Sequence, residues 1–163
     1  MTLFLDFDGV LHAEPVFYDI RAGRPLLDPD LGELFEWAPV LERIMACYPA
    51  LQIVLSTSWA ARLGYEAAKG YLLPAIADRV VDCIWHESDG KLTSQDFHML
   101  PRFRQIEQYV MRKKITHWLA IDDDAHGWPA DQAFRLVHTN RLRGMSDESV
   151  QRELCVRLTA MEQ

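Results

Sequence analysis

Short apolar runs that break off into polar or acidic residues constrain this chain more than any other feature. Residues 2–7 begin Thr-Leu-Phe-Leu and run into Asp6-Phe7-Asp8-Gly9. Residues 50–55 run into Ser56-Thr57-Ser58, and residues 116–121 into Asp122-Asp123-Asp124. Val80 to Trp85 and Phe134 to Val137 are two further runs. Apolar stretches of roughly four to eight residues bounded by turn signals read as buried strands. The segments between them carry helical spacing: about 36–48 with Pro39 in the first turn, about 59–72, Pro101 to about Lys113, and 147–161 with Ser146 as its cap. In the third of these, Ile106, Tyr109 and Val110 share one face. Residues 12–30, rich in Pro, Gly and aromatics, read as a small hairpin or flap, and His86 to Leu100 as a polar loop. Strands alternating with helices imply right-handed crossovers and a parallel sheet covered on both faces. The expected fold is therefore α/β, a three-layer sandwich around a central parallel sheet. Ligands of such sheets bind beyond the carboxyl ends of the strands. The polar clusters fall at those ends.

At 163 residues the chain fits one domain over 1–163, with the flap at about 12–30. No apolar run approaches the roughly 18 residues of a membrane helix. The opening MTLFLDFDGVL has acids inside its apolar stretch and no basic lead, unlike a secretion or transit signal. A cytoplasmic protein without a membrane partner is expected. Cys47, Cys83 and Cys155 are odd in number and widely spaced, which argues against a disulfide framework or zinc site and for small buried hydrophobes. The net charge of −7 disfavours a generally basic nucleic-acid face. Five of the acids sit in the two clusters, however, and setting them aside leaves 19 acidic against 17 basic residues. A local basic patch is compatible with that balance.

Residues two apart on a strand point the same way, so Asp6 and Asp8 bring two carboxylates into one small volume, and Gly9 permits a sharp turn. Carboxylates at a buried strand end repel each other, and a cation removes that penalty. Asp122 and Asp123 end a strand that can lie beside the first. Convergent carboxylate oxygens are hard ligands and suit Mg²⁺. Taken singly, Asp-Gly is an ordinary turn and an Asp run an ordinary solvated loop; both following apolar strands in one chain weighs against that. Ser56 ends another strand, where its hydroxyl and the next backbone N–H groups can receive a phosphoryl oxygen. One residue among Ser56, Thr57 and Ser58 caps the helix that follows. Arg102 opens the helix after Pro101 and supplies a guanidinium for phosphate oxygens, with Arg104, Lys91 and Arg62 as rivals.

The ordered set Asp6-Phe-Asp8-Gly9-Val-Leu, apolar strand plus Ser56, Arg102-Phe-Arg-Gln-Ile-Glu-Gln-Tyr-Val and Ile121-Asp122-Asp123 resembles the haloacid dehalogenase (HAD) superfamily, over residues 4 to 124. Leu-Ser-Thr-Ser-Trp, Leu-Pro-Ala-Ile-Ala-Asp-Arg-Val and Arg-Gly-Met-Ser resemble a small bacterial HAD group related to phosphatase domains of nucleic-acid end-repair proteins. The resemblance implies a Rossmannoid, HAD-like fold and roles for each position. Asp6 would be the nucleophile that forms an aspartyl-phosphate. Asp8 would protonate the leaving oxygen and then activate water. Ser56 would hold the phosphoryl group, and Arg102 would stand where the family usually has Lys. Asp122 would bind Mg²⁺ with Asp6 and the Asp8 carbonyl, and Asp123 would support the metal shell. Members that dehalogenate generally lack the second Asp, so its presence favours a phosphomonoesterase or phosphomutase.

Only 44 residues separate Leu11 from Ser56, and 44 separate Thr57 from Arg102, mostly framework. Neither gap holds a large cap domain, so an open site and a phosphorylated substrate, small or macromolecular, are expected. A nucleic-acid end fits such a site. Phe17, Tyr18, Trp59 and Trp128 neighbour the motifs and can stack on a ring or pack locally, whereas Trp118 reads as core. His12 and His126 read as surface or packing residues that lie near substrate or metal, and His86, His98, His117 and His138 show no ligand spacing. Three other readings stand beside this one: a small-metabolite phosphatase, a phosphate-binding regulatory module on a phosphatase scaffold, and a signalling receiver. The receiver needs an acid at the exit of a middle strand, and residues 52–58 contain none.

Overall fold

A computed structural model describes residues 1–85, 97 and 99–162. Strands β1 (Thr2–Leu5), β4 (Gln52–Leu55), β5 (Val80–Cys83), β6 (Trp118–Asp122) and β7 (Leu136–His138) form one parallel sheet in the order β5-β4-β1-β6-β7. Strands β2 (Val16–Asp19) and β3 (Arg24–Leu27) pair antiparallel as a separate hairpin. The helices are α1 (Ala38–Ala46), α2 (Ser58–Leu63), α3 (Tyr65–Lys69), α4 (Pro74–Ala77), α5 (Arg102–Lys113) and α6 (Glu148–Met161).

Side-chain alternation splits the core between the two faces of the sheet. Leu3, Leu5, Ile53, Leu55, Leu119, Ile121 and Val137 pack under α1 and α6, with α2–α4 beside them. Phe4, Val54, Trp118, Ala120 and Leu136 meet Phe103, Ile106 and Tyr109 of α5 on the other face. Phe4 is fully buried, with the rings of Tyr109 and Trp118 edge-on at 5.7 Å each. This is the expected three-layer α/β sandwich, and the described residues form no cap domain.

Strand β1 lies between β4 and β6, with Leu5 opposite Leu55 on one side and Ile121 on the other. The next residue on each strand is Asp6, Ser56 or Asp122. The register alone therefore sets these three in a row at the carboxyl end of the sheet.

Four local expectations need correction. The helix over 59–72 is two helices, because Gly64 adopts φ 90° and ψ 156° and interrupts the helical path between α2 and α3. The last helix is capped by Asp147, whose carboxylate accepts from the Ser149 N–H at 2.9 Å; Ser146 turns its hydroxyl to the Arg143 carbonyl instead. Phe134 and Arg135 belong to a turn of 3-10 helix over Ala130–Arg135, so the fifth strand starts two residues later than expected. Of the cysteines only Cys83 is buried; Cys47 is exposed and Cys155 intermediate. Most of the expected loop at His86–Leu100, with Lys91, His86 and His98, lies outside the described residues. No helix among the described residues is long and apolar enough to cross a membrane.

Candidate active site

Asp6 leaves β1 with its carboxylate almost fully buried, and Oδ1 accepts from the Phe7 N–H at 2.8 Å. Burial pushes its pKa up, Arg102 opposes that rise and Asp8 adds to it. Asp122 is fully buried; Oδ1 accepts from the Asp124 N–H at 2.9 Å and Oδ2 from Arg102 Nε at 3.1 Å. Burial and the neighbouring Asp6 raise its pKa well above the usual carboxylate range. Asp123 completes the cluster. One carboxylate oxygen from each of Asp6, Asp122 and Asp123 lies within 4.8 Å of the others.

Asp123 also faces Glu14, and Arg141 Nε stands 3.0 Å from Asp123 and 3.4 Å from Glu14. The Arg141 N–H is not aimed at the Asp123 oxygen, which leaves an ion pair rather than a hydrogen bond. Burial and the Glu14 carboxyl push Asp123 up to about 7. Gly9 is required beside it. Its φ is +66°, and a Cβ there would stand 2.8 Å from the Asp123 side chain.

Asp8 shares the strand exit but turns elsewhere. Its Oδ1 accepts from Trp59 Nε1 at 2.8 Å and from His12 Nε2 at 3.0 Å. His12 Nδ1 accepts from the Phe35 N–H at 3.3 Å. The acceptor nitrogen carries no proton, so the proton of the neutral ring sits on Nε2 and points at Asp8. The Asp8 carboxylate is thus not one of the three convergent acids, and both of its hydrogen bonds fall on Oδ1, leaving Oδ2 without one among the described residues.

Ser56 Oγ is fully buried without a hydrogen-bond partner among the described residues. A buried orphan hydroxyl is costly unless something binds it. Its neighbour Thr57 is the residue that caps α2, accepting from the Trp59 N–H at 3.2 Å, and its side chain also hydrogen-bonds Asp6.

Arg102 is the guanidinium that reaches the acids. Nη2 is 3.7 Å from Asp6 Oδ2, Nε holds Asp122, and Nη1 donates to Gln105 Oε1 at 3.2 Å. Two carboxylates keep it charged despite burial. Among its rivals, Arg104 pairs with Glu107 away from the site and Arg62 is exposed. A cavity of about 660 Å³ opens beside Arg102, bounded by Ser58, Arg62, Trp85, Gln105 and His126.

Sequence reasoning undervalues His12 and misses Gln105. Gln105 is buried and donates to the Phe97 and Leu100 carbonyls at 3.1 and 3.0 Å, which fixes the Arg102 contact. Its position three residues after Arg102 on one helix face is the signal that could have found it. Trp59 is a buried donor to Asp8 rather than a stacking surface. Trp128 packs on Phe103 at 5.1 Å, and Trp118 is core as expected. Phe17 and Tyr18 are exposed on the hairpin. His138 Nε2 lies 2.9 Å from the Asp123 carbonyl, the backbone of His126 donates to Asp124, and His117 sits with Thr116 at the start of β6.

A parallel sheet whose first strand ends in Asp-Phe-Asp-Gly, with an acid pair on one neighbouring strand and a buried serine on the other, defines a domain of the HAD type, without a cap among the described residues. The chain belongs to the family described as the HAD domain in Swiss Army Knife RNA repair proteins, whose model matches residues 2–150. No curated protein and no solved structure matches the chain. The family points to a hydrolase of the phosphatase type.

Proposed function

We propose that this domain is a cytoplasmic, Mg²⁺-dependent phosphomonoester hydrolase that works through an aspartyl-phosphate on Asp6 and acts on a phosphorylated nucleic-acid end. The observation that carries this reading is the convergence of Asp6, Asp122 and Asp123 within 4.8 Å, with Arg102 beside Asp6 and Asp8 held apart by its own donors. Three buried carboxylates with raised pKa values form a hard-oxygen donor set that fits a small divalent cation. Asp6, Asp122 and Asp123 would hold it together with the Asp8 carbonyl. Once bound, Mg²⁺ neutralises charge on the phosphoryl oxygens and lines them up for displacement.

Asp6 Oδ2 attacks phosphorus, because Oδ1 is engaged by the Phe7 N–H. The bond from phosphorus to the leaving oxygen breaks as that oxygen takes a proton from Asp8. Oδ1 of Asp8 already accepts two hydrogen bonds, so the transferred proton sits on Oδ2. Ser56 Oγ and the Arg102 guanidinium hold the phosphoryl oxygens. In the second half Asp8 removes a proton from water, the water oxygen attacks phosphorus, and the bond to Asp6 breaks. Inorganic phosphate leaves and both carboxyl groups return to their starting state.

The bulky substrate is supported by a site without a cap among the described residues and by the family's description, and the cytoplasmic assignment by three cysteines that form no disulfide. The test is phosphate release from 3′- and 5′-phosphorylated oligonucleotides and from an aryl phosphate, with Mg²⁺ and with excess chelator. Release that needs Mg²⁺ and vanishes in Asp6→Asn is expected. Release that persists in chelator, or in Asp6→Asn, would overturn the reading.

A further inference from the structure

In the proposed reaction Asp8 protonates the leaving oxygen, so the organic remainder of the substrate must leave the site on the Asp8 side. A slot lies there. Asp8 lines it, with Val16, Phe17, Tyr18 and Pro25 of the hairpin and Trp59, Arg62 and Leu63 of α2. On the hairpin Val16 pairs with the buried Leu27 and Tyr18 with the buried Pro25. Both aromatic residues of β2 line the slot, Phe17 at 62% and Tyr18 at 47% exposure. A half-exposed ring beside a proline and next to a general acid is a surface on which another ring can stack.

Charge selects among ring-bearing leaving groups. Arg62, on the rim, has no ion-pair or hydrogen-bond partner among the described residues, and neither do the side chains of Arg21 and Arg24 at the hairpin end. Arg43 is likewise exposed without a partner among the described residues, whereas Arg104, Arg141, Arg143, Arg152 and Arg157 pair with acids. In a protein of net charge −7, an unpaired guanidinium on the rim of a ring slot suits a leaving group that is itself anionic. The enclosed volume is only about 30 Å³, so a ring inserts an edge and lies across the mouth on Tyr18 rather than being swallowed whole.

We infer that this slot is the leaving-group subsite, and that it reads the terminal nucleotide of a phosphorylated single strand through two contacts: the base on the Tyr18 ring, and the next phosphate along the chain at Arg62. The minimal good substrate is then a nucleoside that carries a second phosphate besides the one removed. This inference rests on the proposed function, and it adds two residues that set specificity without taking part in the bond-breaking steps.

The experiment compares kcat/KM for an alkyl phosphate, a nucleoside monophosphate, a nucleoside 3′,5′-bisphosphate, a phosphorylated oligonucleotide and a phosphoseryl peptide. Efficiency should rise along the first four. Tyr18→Ala should cut the ratio of nucleoside monophosphate to alkyl phosphate by about tenfold, and Tyr18→Phe should restore it, since stacking needs the ring and not the hydroxyl. Arg62→Ala should cut the ratio of bisphosphate to monophosphate by about tenfold and flatten its salt dependence. Unchanged ratios in both alanine variants, or a better rate on the peptide, would overturn the subsite. A second measurement does not depend on turnover. Asp6→Asn protein should bind a phosphorylated dinucleotide with a fluorescent terminal base, and the added Tyr18→Ala change should weaken that binding about tenfold. Binding that ignores Tyr18 and Arg62 overturns the subsite even if phosphatase activity is real. Absent hydrolysis with Tyr18-dependent binding would instead remove the catalytic reading and keep the subsite.

Discussion

The carboxyl edge of the sheet and the β2–β3 hairpin stand next to each other yet are built by opposite rules. At the sheet edge every position is fixed twice, by strand register and by burial on both faces. Asp6, Ser56 and Asp122 therefore sit where the backbone ladder ends, with no freedom to drift. The hairpin makes only its own ladder, exposes Phe17, Tyr18, Ile20 and Leu26, and lines the slot beside Asp8 with both β2 aromatics. On the proposed reading, chemistry that needs a fixed geometry lies on the rigid element and recognition on the appendage. The same contrast recurs within two residues: Asp6 is buried among acids and a guanidinium, while Asp8 is held by two neutral donors. In the proposed reaction these different surroundings suit one carboxyl to a nucleophile's task and its neighbour to an acid's.

The largest expected effect is at the sheet edge. Asp6→Asn should lower kcat by more than about 10⁴-fold, because an amide does not attack phosphorus, with an unchanged thermal transition. Asp8→Asn keeps an acceptor for Trp59 and His12 but loses the proton, and kcat should fall by about 10²–10⁴-fold on an alkyl ester. An aryl ester, whose leaving group needs less help, should suffer less. Comparable losses on both esters would take the acid's role from Asp8.

Stability should divide the two regions in the same way. Phe4→Ala removes a fully buried ring between Tyr109 and Trp118 and should cost about 3–5 kcal/mol in denaturant unfolding. Phe17→Ala on the hairpin should cost no more than about 0.5 kcal/mol. Equal costs would mean that the hairpin is part of the core.

The smallest effect is electrostatic. In the metal-free protein Asp123 titrates at about 7 when folded, against 3.8 for a free carboxyl. The folded state then binds more protons between those values, so stability falls as pH rises from about 4 to about 7. Tm should follow that slope. Asp123→Asn should make it shallower, the raised Asp6 and Asp122 carboxyls keeping part of it, and Mg²⁺ should reduce it by binding the ionised form. A Tm that rises with pH over this window in the metal-free protein would contradict the burial assigned to Asp123.

The sheet edge is legible in the amino-acid order itself. The end of an apolar run is the end of a buried strand, so Asp6, Ser56 and Asp122 announce their place without knowledge of strand order. Local chemistry near helix ends is harder to read. Asp147 and Ser146 are both good caps, and only the backbone path decides between them. Helical spacing continues on both sides of Gly64, which hides the break between α2 and α3. Residues whose partners come from far along the chain leave no local trace. His12 matters because the Phe35 N–H, 23 residues away, sets its tautomer, and Trp59 because it meets Asp8 across 51 residues. The pairing of Arg141 with Asp123 and Glu14 carries no sequence signal at all, since it joins the exits of β1 and β6 to a turn after β7.

The most direct test of an aspartyl-phosphate at Asp6 traps the covalent intermediate. Enzyme turning over a phosphate ester with Mg²⁺ is quenched in acid, reduced with borohydride and digested, and the peptide holding residues 1–21 is weighed. An aspartyl-phosphate is reduced to homoserine, so conversion is predicted at position 6 and nowhere else, dependent on substrate and lost in Asp8→Asn only to the extent that turnover is lost. Phosphate release in the same quenched sample with Asp6 unmodified, or conversion at Asp8 or Asp122 instead, would contradict it.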